Sequence, residues 1–165
     1  MQLRQLAVAF IFNKKNELLF LQKKTTSPFL PGMLVPIGGH LEEGEISDPY
    51  RACLRELEEE TGLTDEHIQG LSLKYMVFRN KSNREIRTQY VFFGVLMHDQ
   101  PLVESEEGSL SWIPIKQIES KSVSATTLEI IRHASTHQDD HVWVGTMRSI
   151  KRKPAITWAL LEDWE

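Results

Sequence analysis

The sequence predicts a mixed α/β fold: one central mixed sheet with helices packed on it. Stretches rich in strand formers alternate with two helix-patterned segments, in the order strands, helix, strands, helix, strands. That order suits a sheet covered by helices rather than a bundle or an all-β sandwich. The chain has 165 residues, the length of one ordinary domain, so a single domain over 1–165 is expected. Hydrophobic residues make up 41% and charged residues 25%, a globular composition able to bury one core without disulfide staples.

The elements follow in order. Leu3–Phe12 and Glu17–Gln22 read as a hairpin joined by the turn residues Asn13-Lys14-Lys15-Asn16. Thr25–Gly32 carries Pro28, Pro31 and Gly32 and reads as a loop. Met33–Ile37 is a short strand candidate, and Gly38-Gly39 is expected to open a second, acidic loop, Gly38–Ser47. Asp48-Pro49 gives an N-cap followed by proline at the first helical position, Tyr50–Thr61 continues without breakers, and Gly62 stops the helix. Leu71–Phe78 and Thr88–Met97 read as long strands joined across Lys81-Ser82-Asn83. Pro101–Gly108 is an acidic loop, Ser109–Ile113 a short strand and Ala125–Ala134 the second helix. Val142–Met147 and Ala155–Leu161 suggest a late hairpin around the basic run Arg148–Lys153.

Charge and cysteine content narrow the function classes. Nineteen Lys and Arg against 23 Asp and Glu leave a net charge of −4, which argues against a protein that holds polymeric nucleic acid by charge. Small anionic substrates remain open, because a metal can make a local site positive. The single cysteine, Cys53, excludes an internal disulfide and a cysteine zinc cluster; it fits a reducing cytoplasm. Leu6–Phe12 is too short to span a bilayer, and Asn13-Lys14-Lys15 follows it where a signal peptide would have small residues. No membrane association is expected.

The first helix carries the chemistry. At about 100° per residue, with Arg55 at zero, Glu56, Glu59 and Glu60 share an arc about 100° wide, whereas Glu58 points elsewhere, to solvent. Tyr50, Leu54 and Leu57 fall on another arc and are expected to form the buried stripe. Like charges three and four residues apart destabilise a helix, and a divalent cation would remove that penalty. Oxygen ligands without His or Cys suit Mg²⁺ or Mn²⁺. Taken alone, the same run also reads as an acidic solvated face. The preceding Gly38-Gly39 changes the balance, because glycines let a ligand approach the main chain closely.

The stretch from Gly39-His40-Leu41-Glu42-Glu43-Gly44-Glu45 to Arg55-Glu56-Leu57-Glu58-Glu59-Glu60-Thr61-Gly62-Leu63 resembles the Nudix box, and the segment 39–63 contains every residue type that the pattern specifies. It departs in one respect: nine residues rather than seven separate Glu45 from Arg55. A loop absorbs two residues cheaply, whereas a helix insertion would rotate its faces by about 200°. The extra residues are therefore assigned to the turn at Ser47-Asp48-Pro49, and Glu45 is expected still to point toward Glu56 and Glu60.

The resemblance implies a Nudix-type α/β/α sandwich and a metal-dependent hydrolase of nucleoside diphosphate derivatives. Glu56, Glu59 and Glu60 match the metal-binding glutamates, Gly39 the glycine whose carbonyl joins the metal shell, and Arg55 the arginine that orients the glutamates. Glu107 resembles the extra acidic residue of a later loop, counted with the metal ligands and as a rival to Glu56 for general base; Glu45 belongs with the catalytic group. Lys23, Gly38, Phe78 and Arg87 are the candidates for substrate contact, with Phe29 and Trp112 as further aromatics for base stacking. The overall look is MutT-like, implying cleavage of a (d)NTP, with 8-oxo-dGTP as one candidate, by a monomer or homodimer. The proline of the ADP-ribose subgroup is missing, since Phe78 and Arg79 stand at its place. Hydrolysis of ADP-ribose or another nucleoside diphosphate derivative, or a catalytically silent binding or regulatory protein, are the alternatives.

Other signals are weaker. His133, His137 and His141 recur at spacings of four but lie in a polar stretch expected to be a solvated, fraying end. Cys53 reads as a small packed residue, Arg148–Lys153 as a solvated turn, and Trp158 as an anchor for the last strand.

Overall fold

In the computed structural model, which describes residues 1–103 and 105–164, the site is built on β1 (Gln2–Phe12). Residues 7–11 of β1 are all buried, so both faces of this strand are covered. β1 pairs in parallel with β6 (Glu85–Leu96) and antiparallel with β2 (Glu17–Lys23) and β4 (Ile37–His40). With β3 (Leu34–Val35), β5 (Ile68–Lys81), β8 (Val142–Ile150) and β9 (Lys153–Leu161), the sheet runs β3-β2-β1-β6-β5-β8-β9. β7 (Gly108–Pro114) pairs with β2. Two helices complete the fold, α1 (Pro49–Thr61) and α2 (Ala125–Thr136).

Strand alternation divides the core. Ala7, Ala9 and Ile11 of β1 join Ala52, Cys53 and Leu57 of α1 in one apolar cluster. Val8 and Phe10 join Phe20, Tyr75 and Ile130 of α2 in the other. The expected α/β/α sandwich is thus produced by period-two sorting of one strand between two helical layers.

Local signals placed α1. Asp48 Oδ1 accepts from the Arg51 N–H at 3.3 Å, and Pro49 is the first helical residue. Gly62 takes φ 76° and its N–H donates to the Glu58 carbonyl, a left-handed cap that disfavours a side chain. Asn16, with φ 61°, turns the first hairpin.

Several boundaries differ from the sequence expectation. Gly38 and Gly39 do not open a loop; they lie in β4, opposite Val8 and Ala7. Gly38 has φ 146°, and a Cβ there would run into the Ala7 carbonyl, so glycine permits the close pairing. β5 extends past the expected 71–78 at both ends, and β6 starts three residues before the expected 88 and ends at Leu96, because pairing carries polar residues into strands. The late hairpin joins the main sheet through parallel pairing of β8 with β5. Only Lys151 and Arg152 of the basic run form its turn, with φ 48° and 64°. In the acidic loop 101–107, Glu104 lies outside the described residues.

The histidine run is corrected in part. α2 ends at Thr136, so His141 is off the helix. His133 is half-buried and His137 exposed, yet their rings stack at 3.9 Å and pack against Trp143. Tyr75 and Trp158 complete this aromatic cluster. Cys53 is buried, and burial pushes its thiol up to about 12.

Candidate active site

α1 presents an unusual buried face: Ala52, Cys53, Leu57, Glu60 and Thr61. The expected stripe through Leu54 is displaced, and Leu54 joins neither apolar cluster. The displacement has a steric cause. β4 meets α1 at Gly39, so the helix lies against bare backbone there and turns its glutamate edge inward. A Cβ on Gly39 would run into the Glu56 carboxylate. Glu60 Oε2 accepts from the Gly38 N–H at 2.9 Å, and Glu60 is only 8% exposed.

Burial raises the affinity of both inward glutamates for a proton. Glu60 is pushed up to about 7 by burial, with Glu56 and Glu107 adding to the rise; the Gly38 N–H and Lys23 oppose it. Glu56 is also raised by burial, against the pull of Arg55. Glu56, Glu60 and Glu107 therefore share one electrostatic field.

Arg55 ties the rest together. Its Nε and one terminal nitrogen donate to the two oxygens of Glu45 at 2.9 and 3.0 Å. The other terminal nitrogen donates to Glu56 at 3.0 Å and Glu59 at 3.1 Å. The guanidinium also donates to the His40 carbonyl at 3.1 Å. Its hydrogen bonds hold the Glu45 carboxyl down at about 2, as a bidentate charge-assisted pair should. Glu45 is 6% exposed. Between Glu45 and α1 the chain makes a turn in which the Asp48 N–H donates to the Glu45 carbonyl at 2.8 Å. Glu45 thus faces inward but meets Glu56 through Arg55 rather than meeting Glu60 directly.

A cavity of about 550 Å³ opens beside these groups and is lined by Gly38, Gly39, Glu56, Glu60, Glu107 and Lys23 at its acidic end. Lys23, the last residue of β2, is ion-paired with Glu107. Arg87 lines the cavity farther along. Glu59 stands outside the lining, with its side chain 59% exposed. Phe78 is also outside it: strand alternation puts Val77 and Arg79 on the cavity and turns Phe78 away. Trp112 packs against the α1-side core, whereas Phe29 lines the cavity and is half exposed. Sequence reasoning missed Arg79, Gln89 and His40 as lining residues. Period-two counting from the buried Val77 would have found Arg79.

The residues fit a divalent cation by their donor chemistry. Half-buried Glu56 and buried Glu60 are carboxylates with raised proton affinity, and Gly39 places backbone beside Glu56; all donors are oxygens, which suit hard cations. Among the described residues, no three His, Cys, Asp or Glu side chains already form a metal cage. Arg55 and Lys23 instead hold the carboxylates of Glu56, Glu59 and Glu107.

Comparisons with known proteins bear on the fold and the family. The 8-oxo-dGTP diphosphatase of Escherichia coli (strain K12) is 38% identical over 64 residues, 39% of this chain and 47% of that protein; the match spans about half of the relative's length. The MutT protein structure from Bacillus halodurans superposes with a TM-score of 0.72 at 20% identity, covering 95% of this chain and 97% of that one. The C. elegans Ap4A hydrolase binary complex gives 0.68 at 22% identity, covering 81% and 96%. The NUDIX domain of Shewanella oneidensis NrtR, complexed with ADP ribose, gives 0.64 at 20%, covering 84% and 90%. These structural likenesses show the fold. Residues 2–134 match the family model described as the NUDIX domain, and the chain belongs to that family.

Proposed function

We propose that the protein is a Mg²⁺- or Mn²⁺-dependent pyrophosphohydrolase that cleaves the diphosphate linkage of a nucleotide. The first candidate is a (d)NTP, including an oxidised one such as 8-oxo-dGTP, giving NMP and pyrophosphate. The observation that carries this reading is the pair of inward-turned glutamates, half-buried Glu56 and buried Glu60, set into a cavity beside Gly38 and Gly39 and backed by the Arg55 fork. The local match to the E. coli 8-oxo-dGTP diphosphatase supports the triphosphate reading.

Glu56, Glu59, Glu60, Glu107 and the Gly39 carbonyl are the groups that would hold the cation. When bound, the metal neutralises phosphate oxygens and acidifies a water. Glu56 accepts the proton of the attacking water at a carboxylate oxygen, and burial raises its proton affinity above that of an ordinary glutamate. The water oxygen bonds to phosphorus, the bridging P–O bond breaks, and pyrophosphate leaves with the bond's electron pair. Arg55, anchored by Glu45, fixes the Glu56 carboxylate. Lys23 exchanges Glu107 for substrate phosphate, and Gly38 and Arg87 border the bound nucleotide.

Incubating the protein with a panel of nucleotides and Mg²⁺, with products read by chromatography, tests this. The expected result is NMP plus pyrophosphate from at least one (d)NTP. Turnover of ADP-ribose or a dinucleotide alone would move the protein to another nucleoside diphosphate class. Absence of any turnover would favour the silent binding alternative, against which the retention of Glu45, Glu56, Glu59 and Glu60 argues. A small-molecule substrate, a cytoplasmic location and a monomer or homodimer complete the reading; fractionation and sedimentation check the last two.

A further inference from the structure

The cavity-facing side of the sheet changes character along its strands. Register places Val8, Val91 and Tyr75 in one cross-strand row, then Leu6, Gln89 and Val77, then Arg4, Arg87 and Arg79. The first row is buried and carries one polar atom, the Tyr75 hydroxyl; the third consists entirely of arginine. Arg79 and Arg87 line the same cavity as Glu56 and Glu60.

Three like charges directly opposite one another destabilise a sheet. Neutralisation here is incomplete. Glu85 pairs with Arg87 and stands 2.9 Å from Arg4, a contact without hydrogen-bond alignment. Lys81 acts on the same carboxylate. Arg79 is exposed and has no ion pair or hydrogen bond among the described residues. One carboxylate therefore serves three cations, and Arg79 draws on none among the described residues. The row lies four strand residues from the level of Gly38, where Glu60 is anchored, or roughly 13 Å at about 3.3 Å per residue.

We propose that the Arg4–Arg87–Arg79 row is a second anion subsite that takes a phosphate of the substrate remote from the scissile diphosphate. The inference rests on the nucleotide-binding reading of this cavity. Guanidinium groups suit phosphate by bidentate donation, and an anion relieves the repulsion that the row carries. The phosphate is either the end of an extended 5′-polyphosphate or a phosphate on the ribose; both present the same dianionic group to Arg79.

Calorimetry with methylene-bridged analogues, which resist cleavage, tests this in the presence of Mg²⁺. The ligands are adenosine and guanosine 5′-diphosphate analogues, the matching 5′-tetraphosphates, and the 5′-diphosphates that also carry a 3′-phosphate. Wild type should bind at least one phosphate-bearing form about tenfold more tightly than the plain diphosphate, as a charge-assisted contact allows. Which form gains identifies the source. Arg79→Gln should cut the gain to about twofold or less, and Arg79→Lys should keep most of it. The melting temperature of Arg79→Gln should equal or exceed wild type, since a like-charge contact is relieved. No gain in wild type for either form, or a gain that survives Arg79→Gln, overturns the subsite. Turnover is not read here. A gain without turnover in the nucleotide panel would remove the catalytic reading and leave the subsite; turnover without a gain would do the reverse.

Discussion

Replacing Glu60 with glutamine keeps the side chain's shape and its acceptor for the Gly38 N–H while removing its charge. Burial raises this carboxyl from 4.5 to about 7, which corresponds to roughly 3 kcal/mol of unfavourable ionisation in the folded state. The unfolded carboxyl ionises near 4.5 and the folded one near 7. Between those values the unfolded chain has released a proton that the folded chain still holds, so this group's contribution to stability is full below pH 4.5, falls as pH rises to 7 and then levels off. Glu60→Gln lacks this loss. Without metal at pH 8 it should be more stable than wild type by up to roughly 3 kcal/mol, or about 6–12 °C in Tm for a chain of this size. At pH 4.5 the two should differ by much less. Mg²⁺ should reverse the order, because a cation that binds only the folded state stabilises wild type by mass action and Glu60→Gln has lost a charged ligand. Thermal unfolding from pH 4.5 to 8, with and without Mg²⁺, reads all of this. Equal metal-free stability at pH 8, or an equal Mg²⁺ response in the two proteins, would refute the reasoning.

Glu58 and Glu59 share charge and helix propensity but differ by about 100° in direction; Glu59→Gln should lower turnover by about 10²–10³ and Glu58→Gln by little, and equal activity across a Mg²⁺ titration would defeat the metal-face assignment. Gly39→Ala should push the Glu56 carboxylate out of place; kcat is expected to fall far more than Tm, and wild-type kcat would show that the close approach is not needed. Arg55→Ala leaves the buried Glu45 unpaired, which should cost about 3 kcal/mol in chemical denaturation and weaken the hold on Glu56 and Glu59; unchanged stability would mean that Glu45 finds another partner.

The sequence by itself determined the α/β class, the helix limits and the composition of the glutamate arc. Those signals are local: Asp48-Pro49 and Gly62 bracket α1 whatever surrounds it, and helix geometry fixes which glutamates share a face. Only the tertiary structure decided which face is buried. Apolar pattern pointed to Leu54, but the bare Gly39 and the Gly38 N–H on a neighbouring strand let α1 turn Glu56 and Glu60 inward, and that depends on a partner outside the helix. The grip of Arg55 on Glu45 needs β4, the turn and α1 brought together. Phe78 and Arg79 are adjacent in sequence and opposite in the sheet, so the register of β5 with β6, not residue type, put the arginine on the cavity. Arg79 and Arg87 meet across one hairpin, but the arginine row is completed only because β1, far away in sequence, pairs with β6 in that register.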